Sequence, residues 1–550
     1  MNKMRWLKMN LNLWSVLSTV FVLLIILPNL NIMISLFNEP NENWIHIKKY
    51  LLKDYMINST ILTVCTGILS MVIGTSLAWI TTMYEFPFRK VLEIGLILPL
   101  GIPPYMGAYT YAGILNYTGI IQSFLRNNFG IYVNQKYFDI MSINGAIFIF
   151  TIFLFPYVYL ITKSFLEKQS ADLVENGRVL GRSQLEIFIH VILPVARAAI
   201  VGGVSLVILE VLNDYGVVKY FGVPAFSTAI FKTWFAMGDI DSAIRLASVL
   251  MILVFTSLMI EKFLRSRKKF SYSTAKVRPL VKIKLEGIKS IGAFMYSFII
   301  FSLGFLIPTL QLIHWALMTY EKILNHRFIK LMGNSLIIAI ITSVLIVIIS
   351  IIIGNYNRIN ESTLSKAYSK ITVVGYSIPG SVIALGVIVF FIGIDRKFGW
   401  IYEDITFRGS KLILSSSIIM LLFAYVIRFL TIGYNSIEAG FEKVGKRFFE
   451  ASRTLGMGII ETFFKVDLKM IKPGIVGASI LVFVDVLKEL PLTLILRPFN
   501  FDTLATKAFE YASDEMIHEA SIGSLIIILV SSISIIFFNF IVNRRGNNEH

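Results

Sequence analysis

The sequence Glu175-Asn176-Gly177-Arg178-Val179-Leu180-Gly181 returns 275 residues later as Glu450-Ala451-Ser452-Arg453-Thr454-Leu455-Gly456. At the same shift the chain repeats the pairs Glu186/Glu461, Phe188/Phe463, Val191/Val466 and Leu193/Leu468. Two apolar segments that were similar by chance would share Leu and Ile, but they would not keep Glu, Arg and Gly in register. The chain therefore consists of two similar halves.

Two shorter matches extend the repeat at a shift of 276 residues: Asn58-Ser59 with Asn334-Ser335, and Ile102-Pro103 with Ile378-Pro379. Proline inside an apolar segment most often kinks a helix. We interpret Pro103, Pro104 and Pro379 as such kinks, and the alternative is that they form a gate.

Apolar residues dominate the composition. Of 550 residues, 56% are hydrophobic and 15% are charged, whereas globular proteins have about 45–50% apolar and about 25% charged residues. A helix needs about 20 apolar residues to cross the hydrocarbon layer. Twelve segments qualify: 13–37, 58–83, 91–116, 142–165, 196–216, 241–264, 291–318, 334–356, 367–392, 410–434, 472–492 and 519–542.

The predicted fold is therefore all-α: a polytopic protein of the cell membrane, with about 12 transmembrane helices in two pseudo-symmetric six-helix halves. The N-terminal segment, with Lys3, Arg5 and Lys8 before an apolar run, has features of a signal peptide. Its apolar run is too long for one, and no small-residue cleavage site follows. We expect it to be kept as the first helix.

The basic residues indicate the topology. Placing the N-terminus in the cytoplasm puts most of them inside: Arg89, Lys90, Lys163, Lys168, Arg178, Arg182, Lys443, Lys446, Arg447, Arg453, Arg544 and Arg545. This agrees with the positive-inside rule, although the outer loop with Lys48, Lys49 and Lys53 opposes it. The net charge of +17 then belongs to cytoplasmic loops, and a nucleic-acid partner is not expected, because the basic residues alternate with apolar blocks.

Residues 265–290 separate the halves and contain nine Lys and Arg residues. We predict a first transmembrane domain at 1–264, a basic cytoplasmic linker at 265–290 and a second transmembrane domain at 291–550. The linker is either solvated or in contact with membrane lipid headgroups. Because each half has an even number of crossings, both halves have the same orientation, with a pseudo-two-fold axis along the membrane normal and a pathway between them.

The repeated loop has its own local structure. Gly181 follows a short helical stretch, and glycine is the usual residue where a helix closes with positive φ. Ser183-Gln184-Leu185-Glu186 fits a capping box that starts a second short helix. The second copy has Gly456, Gly458 and Glu461, a weaker version. Both copies predict a short helix–turn–helix on the cytoplasmic side.

Glu175 and Gly181, followed after nine intervening residues by Val191-Ile192-Leu193-Pro194, resemble the coupling-loop signature of importer permeases of the ATP-binding-cassette superfamily. The resemblance implies a type I importer permease fold, in which the loop helix docks on a separate ATPase. The docking residues would be Glu175, Gly181, Glu450 and Gly456. The second copy departs from the pattern, with Lys469 in place of Pro194 and Pro473 four residues later, so we expect an altered exit from that loop. The alternative is that both glycines merely end helices.

The resemblance also implies the partners: two copies of an ATPase subunit and an extracytoplasmic substrate-binding protein. The chain has no phosphate-binding loop of the Gly-x-x-x-x-Gly-Lys-Ser/Thr type. We therefore expect no enzyme activity and no bound cofactor in this chain, and ATP would be used by the partner.

Four carboxylates stand near the ends of two apolar segments: Glu210, Asp214, Asp485 and Glu489. In each half the two are four residues apart and share a helical face. A charge near the bilayer centre costs about 2.5–3.5 kcal/mol and normally faces a wet cavity or a partner. We predict that the four line a translocation pathway. Alternatively they are hydrated at helix ends, or Lys488 neutralises its neighbours. No catalytic residue and no metal ligand is assigned, since Cys65 is alone and the six His are scattered.

Several stretches look like the ferric-iron branch of these permeases: 98–105, 377–381, 210–234 and 485–510. The cargo implied is ferric iron, and permeases for phosphonate, thiamine, sulfate or polyamine share part of these motifs. A transporter driven by an ion gradient is the alternative from another class. It would explain twelve helices and buried carboxylates but not the paired coupling loops.

Overall fold

The computed structural model describes residues 13–35, 39–167, 172–266, 282–360, 362–401, 412–445 and 447–548. Nearly all of these residues are helical, and their only strands are β1 (Tyr84–Glu85) and β2 (Ile283–Lys284). Helices dominate because a backbone that crosses a bilayer must satisfy its own hydrogen bonds. The predicted all-α fold is confirmed.

The first half contains thirteen α-helices among the described residues. They are α1 (Leu13–Ser35), α2 (Glu42–Tyr50), α3 (Leu52–Met83), α4 (Arg89–Gly95), α5 (Pro104–Leu115), α6 (Ile120–Phe129), α7 (Ile143–Glu167), α8 (Asp172–Val179), α9 (Gln184–Ile187), α10 (Leu193–Asn213), α11 (Gly216–Tyr220), α12 (Phe226–Phe231) and α13 (Ile240–Ser266).

The second half follows a similar order, but its first span is two helices joined by the π-helical turn Ser302–Leu306, and a three-residue helix precedes its fifth span. Among its described residues no separate α-helix corresponds to α2 or α6. Its helices are α14 (Gly287–Phe301), α15 (Ile307–Ile323), α16 (His326–Ile359), α17 (Thr363–Val374), α18 (Gly380–Phe398), α19 (Ile418–Val444), α20 (Arg447–Thr454), α21 (Ile459–Thr462), α22 (Leu468–Met470), α23 (Lys472–Leu487), α24 (Pro491–Leu496), α25 (Leu504–Ser513) and α26 (Ile517–Asn548).

In the described part of the chain, eight helices are long and apolar enough to cross a bilayer, and three bent helix pairs bring the candidate spans to eleven. The apolar part of α1, Leu13–Pro28, is shorter. Two predicted spans, 91–116 and 367–392, are not continuous helices. The chain turns by 97° before Pro104 and by 112° before Gly380, so the Ile-Pro pairs break these helices rather than kink them.

The halves interlock through their first helices. Helix α1 packs on α16, α17 and α18 of the second half, while α14 and α15 pack on α4 and α5 of the first half and on α26. Each half thus covers part of the other with its first span, and the interface between the halves lies inside the molecule.

The outer ends of the halves repeat in detail. The hydroxyl of Ser59 accepts a hydrogen bond from the backbone N–H of Phe226 at 3.2 Å, at the start of α12. The hydroxyl of Ser335 accepts one from the N–H of Leu504 at 2.7 Å, at the start of α25. In each half a serine from the second span therefore satisfies a helix N-terminus that follows the fifth span.

The end of the linker is attached to the first half. Strand β2 pairs in parallel with β1, with Tyr84 opposite Ile283 and Glu85 opposite Lys284. Burial and the nearby charge of Arg89 lower the pKa of Lys282. Residues 267–281 of the predicted linker lie outside the described residues.

Candidate functional site

The first of the two predicted coupling loops closes α8 on Gly181, which has φ +74°. The N–H of Gly181 donates to the carbonyl of Arg178 at 2.9 Å, and the N–H of Arg182 donates to the carbonyl of Gly177 at 3.1 Å. This pair of bonds is a Schellman motif, which satisfies the last carbonyls of a helix. The predicted glycine C-cap is present.

The capping box that starts α9 is also present. The N–H of Ser183 donates to Glu186 Oε2 at 2.8 Å, and the N–H of Glu186 donates to Ser183 Oγ at 3.3 Å. The two bonds satisfy donors at the start of α9 and fix the turn between α8 and α9.

The second loop has the same turn. Gly456 has φ +87°, and the N–H groups of Gly456 and Met457 donate to the carbonyls of Arg453 and Ser452 at 3.1 and 3.2 Å. Gly458 starts α21 without a side-chain cap. Both loops therefore hold a helix–turn–helix, and the second has the weaker cap that the sequence predicts.

Matched apolar side chains project from the two loops. Leu180 and Leu455 are 79% and 81% exposed. Two more pairs at the shift of 275 are exposed as well: Leu185 with Ile460, and Ile189 with Phe464. Glu175 and Glu450 are exposed beside them. Sequence reasoning missed these apolar pairs, although their repetition on otherwise polar loops was a usable signal. An exposed apolar patch rimmed by charge is typical of a protein interface.

The loops join the fifth and eleventh spans differently. In the first half, Gln184–Asn213 is one continuous helix that contains the π-helical turn Phe188–Ile192. In the second half, Ile459–Met470 meets Lys472–Leu487 at an angle of 69°. The break lies just before Pro473, which cannot donate a helical hydrogen bond. The altered exit expected from Lys469 and Pro473 is present.

The two loops also pack differently against the transmembrane helices. The second loop is held by an ion pair between Arg358, at the end of α16, and the fully buried Asp467. Arg358 Nη1 lies 2.8 Å from Asp467 Oδ1. The same guanidinium lies over the rings of Phe441 and Phe449, at 4.7 and 5.2 Å. The first half has apolar residues at the positions of Asp467, Phe441 and Phe449, and all of them are buried: Ile192, Leu166 and Val174.

A cavity of about 90 Å³ lies between the two halves. All four predicted carboxylates line it, together with the broken helices at Pro103 and Tyr376. The remaining lining residues are Leu100, Ile102, Pro104, Tyr105, Phe153, Leu154, Tyr157, Asn213, Arg428, Phe429, Lys488, Leu490 and Pro491. The structure thus brings the carboxylates of both halves together, at the interface where pseudo-symmetry predicts them.

Asp214 and Glu489 act as matched helix caps in this cavity. Asp214 Oδ1 accepts a hydrogen bond from the N–H of Val217 at 2.8 Å, in the first turn of α11. The Glu489 carboxylate accepts from the N–H groups of Leu492 and Thr493 at 3.1–3.2 Å, in the first turn of α24. Their charge is stabilised by helix N-termini.

Glu210 and Asp485 contact side chains instead. The Tyr376 hydroxyl donates to Glu210 Oε1 at 2.6 Å, and Lys488 Nζ lies 2.8 Å from Asp485 Oδ1. The interpretation that Lys488 neutralises a neighbour therefore holds for Asp485. Sequence reasoning missed Tyr376, because a tyrosine within an apolar segment has no distinctive spacing.

Backbone contacts hold the broken helices at the cavity. Asn213 Oδ1 accepts from the N–H of Gly380 at 2.6 Å, which ties the fifth span to the start of α18. Arg428 Nη1 donates to the carbonyl of Ile378 at 2.7 Å. Among the described residues no group of three or more His, Cys, Asp and Glu side chains is placed to hold a metal ion.

The family of the binding-protein-dependent transport system inner membrane component matches the chain twice, over residues 70–261 and 346–547. The Fe(3+)-transport system permease protein FbpB 2 of Haemophilus influenzae is 25% identical over 88% of each chain. The ferric transport system permease protein FbpB of Actinobacillus pleuropneumoniae is 22% identical, over 94% of this chain and 76% of the relative. A sulfate transport system permease protein of Salmonella typhimurium is 28% identical over only 27% of this chain and 51% of its own length. This multi-pass membrane protein, matched in both of its halves, belongs to the binding-protein-dependent transport system inner membrane component family.

Proposed function

We propose that the chain is the fused permease subunit of an ATP-binding-cassette importer for ferric iron. The observation that carries this proposal is the pair of matched coupling loops, each with a glycine-closed turn and an exposed apolar face. A transporter driven by an ion gradient has no use for two such loops. Relatives that match most of the chain are named as Fe(3+) or ferric permeases, which supports iron as the cargo.

Each coupling loop would bind one copy of a separate ATPase subunit. The Schellman turns at Gly181 and Gly456 hold each loop helix at a fixed angle to α8 and α20. Leu180 and Leu455 would enter an apolar groove on the ATPase, and Glu175 and Glu450 would pair with its basic residues. ATP binding and hydrolysis then belong to the partner.

The cavity between the halves would be part of the translocation pathway. Its four carboxylates face two cations, Arg428 and Lys488, so the lining has a formal charge of −2. Such a lining favours a cationic cargo over sulfate or phosphonate. The cargo would arrive from an extracytoplasmic binding protein and cross as the ATPases draw the coupling loops together and the two halves rock.

The test is uptake of radiolabelled ferric iron by liposomes that contain this permease, its ATPase and its binding protein. We expect uptake that requires ATP, that proton or sodium gradients do not drive, and that excess phosphonate or thiamine does not reduce. The permease purified alone should hydrolyse no ATP. Uptake driven by a gradient, or uptake of a competitor in place of iron, would contradict the proposal.

Variants of the loops make the test specific. Leu180→Asp combined with Leu455→Asp should abolish ATP-driven uptake and prevent the ATPase from co-purifying, because charge enters the proposed groove. Both side chains are highly exposed, so the fold should be unaffected. Ile288→Asp is the matched control: it changes an 88% exposed residue outside both loops and should leave uptake intact.

A further inference from the structure

The four cavity carboxylates form two groups, which differ in whether they bind backbone N–H groups or side chains. Asp214 and Glu489 are occupied by backbone N–H groups of the helices that they cap. Within the described part of the chain, Glu210 and Asp485 accept no such backbone bonds. Each contacts a side chain instead: Tyr376 for Glu210 and Lys488 for Asp485. These two carboxylates also occupy equivalent positions in the two halves, so they face the cavity from opposite walls.

Tyrosine hydroxyls surround the free carboxylates. The Tyr376 hydroxyl bonds Glu210 at 2.6 Å. Tyr157, from α7, lines the same cavity as Tyr376, Glu210 and Asp485. Phenol and carboxylate groups from four spans, two in each half, thus line one small cavity.

A separate observation indicates that the cavity is built for a polar occupant. Tyr105 lines it with 3% of its surface exposed, and its hydroxyl has no hydrogen-bond partner among the described residues. A buried hydroxyl without a partner is costly, because it has lost its hydrogen bonds to water. Its position beside Asp214 and Glu489 is consistent with an entering ion or its bound water completing the bond.

Lys488 is the cavity cation that pairs with one of these two carboxylates. Its Nζ lies 2.8 Å from Asp485 Oδ1. The negative charge of Glu210 also attracts the Lys488 ammonium group. The first half has Asn213 at the equivalent position, where it binds backbone and carries no charge. One wall of the cavity therefore has a mobile cation on a flexible stem, and the other wall has none.

Carboxylate oxygens favour hard cations, and a tyrosine oxygen holds the haem iron of catalase. We propose that Glu210, Asp485, Tyr157 and Tyr376 form a transient ferric-ion site, and that Lys488 occupies Asp485 until the ion displaces it. Each phenol that ligates the ion releases its proton to water in the cavity. Lys488 would return to Asp485 as the ion leaves. The identity of the ion as ferric iron rests on the proposed function.

The site can be tested on the purified permease, separately from transport. Ferric nitrilotriacetate is titrated into the protein in nanodiscs, and the visible charge-transfer absorption of a ferric phenolate is recorded. We expect the band in the native protein and its loss in Tyr376→Phe, Tyr157→Phe and Asp485→Asn. Lys488→Met should shift the titration midpoint to a lower ferric concentration, because the competing cation is gone.

A matched control exists within the same chain. The Tyr434 hydroxyl donates to Glu438 Oε1 at 2.7 Å, a similar phenol–glutamate pair that does not line the cavity. Tyr434→Phe should keep the full band. A gel-filtration profile like that of the native protein shows that each variant has folded, and three ligand variants at separate positions keep the test valid if one of them fails to fold.

No band in the native protein, or a band that survives all three ligand variants, would overturn the site. Iron uptake by the complete transporter answers the separate question of function. Iron uptake without the absorption band would support the permease function and contradict the proposed ferric-ion site. The band without ATP-driven iron uptake would support the ferric-ion site and contradict the proposed importer function.

Discussion

The two coupling loops begin alike and end differently. Both close on a glycine at φ +74° or +87°, and both expose leucine at the same place. The first then continues into the fifth span as one helix, Gln184–Asn213, whereas the second meets the eleventh span at 69°. A continuous helix transmits motion along its own axis, but a broken one cannot, so the second loop needs another rigid attachment.

The ion pair of Arg358 and Asp467 provides that attachment. Arg358 lies at the end of α16, and Asp467 lies in the π-helical turn Phe463–Asp467 between α21 and α22. The first half has no charged pair at these two positions, where the buried residues are Ile192, equivalent to Asp467, and Thr82, equivalent to Arg358. In the proposed importer, one ATPase copy would therefore drive the fifth span directly, and the other would drive the eighth span through the ion pair.

The largest effect is expected from breaking this pair. Asp467→Ile inserts the residue of the first half and leaves a buried guanidinium unpaired. Removing one partner of a buried pair costs about 3–5 kcal/mol, so unfolding in detergent should begin at clearly lower temperature or denaturant concentration. Ile192→Val, at the equivalent position, is the matched control and should cost about 0.5–1.5 kcal/mol.

The double variant Arg358→Thr with Asp467→Ile distinguishes the effect of the ion pair on protein stability from its effect on the connection between the second loop and α16. The new residues are those at the equivalent positions of the first half, Thr82 at the shift of 276 and Ile192 at the shift of 275. The double change should restore much of the stability, because no buried charge is left. Iron transported per ATP hydrolysed should stay reduced, because the second loop has lost its connection to α16. Full recovery of both quantities would show that the broken helix needs no such connection.

The sequence was sufficient for the parts of the molecule that depend on local chemistry. A glycine after a helical stretch, and a serine three residues before a glutamate, have few structural solutions, and both are present at Gly181 and Ser183. The repeat then placed four carboxylates at one interface, because symmetric halves bring equivalent residues together. The roles of the coupling residues and of the carboxylates remain predictions.

What the sequence did not reveal depends on tertiary contacts. A proline predicts that a helix is disturbed but not by how much, and the turns of 97° and 112° arise from how the chain packs on both sides of the break. The capping roles of Asp214 and Glu489 require knowing that new helices start beyond them. Tyr157 and Tyr376 come from different spans, and no spacing relates them.

A smaller effect, equal in the two loops, is expected at the glycines. No atom of the described residues lies within 4 Å of a Cβ added at Gly181 or Gly456. Alanine there therefore meets only the backbone penalty of the left-handed conformation, about 1–2 kcal/mol. Gly181→Ala and Gly456→Ala should lower ATP-coupled uptake to a similar extent while binding-protein docking is unchanged. Gly393→Ala, in open space within α18, is the control. A strong effect in one loop alone would mean that the turns are not equivalent.

The smallest effect is expected where the two turns start their second helices. Ser183 caps α9 with its side chain, and Gly458 starts α21 with none. Serine improves on glycine at this position by only a few tenths of a kcal/mol. Gly458→Ser should therefore slow hydrogen exchange of the first amides of α21 by roughly twofold, and Ser183→Gly should speed exchange at the start of α9 by a similar factor. Unchanged exchange in Gly458→Ser would mean that the start of α21 is held by the 69° break and not by its cap. Helix capping would then not be what distinguishes the two loops.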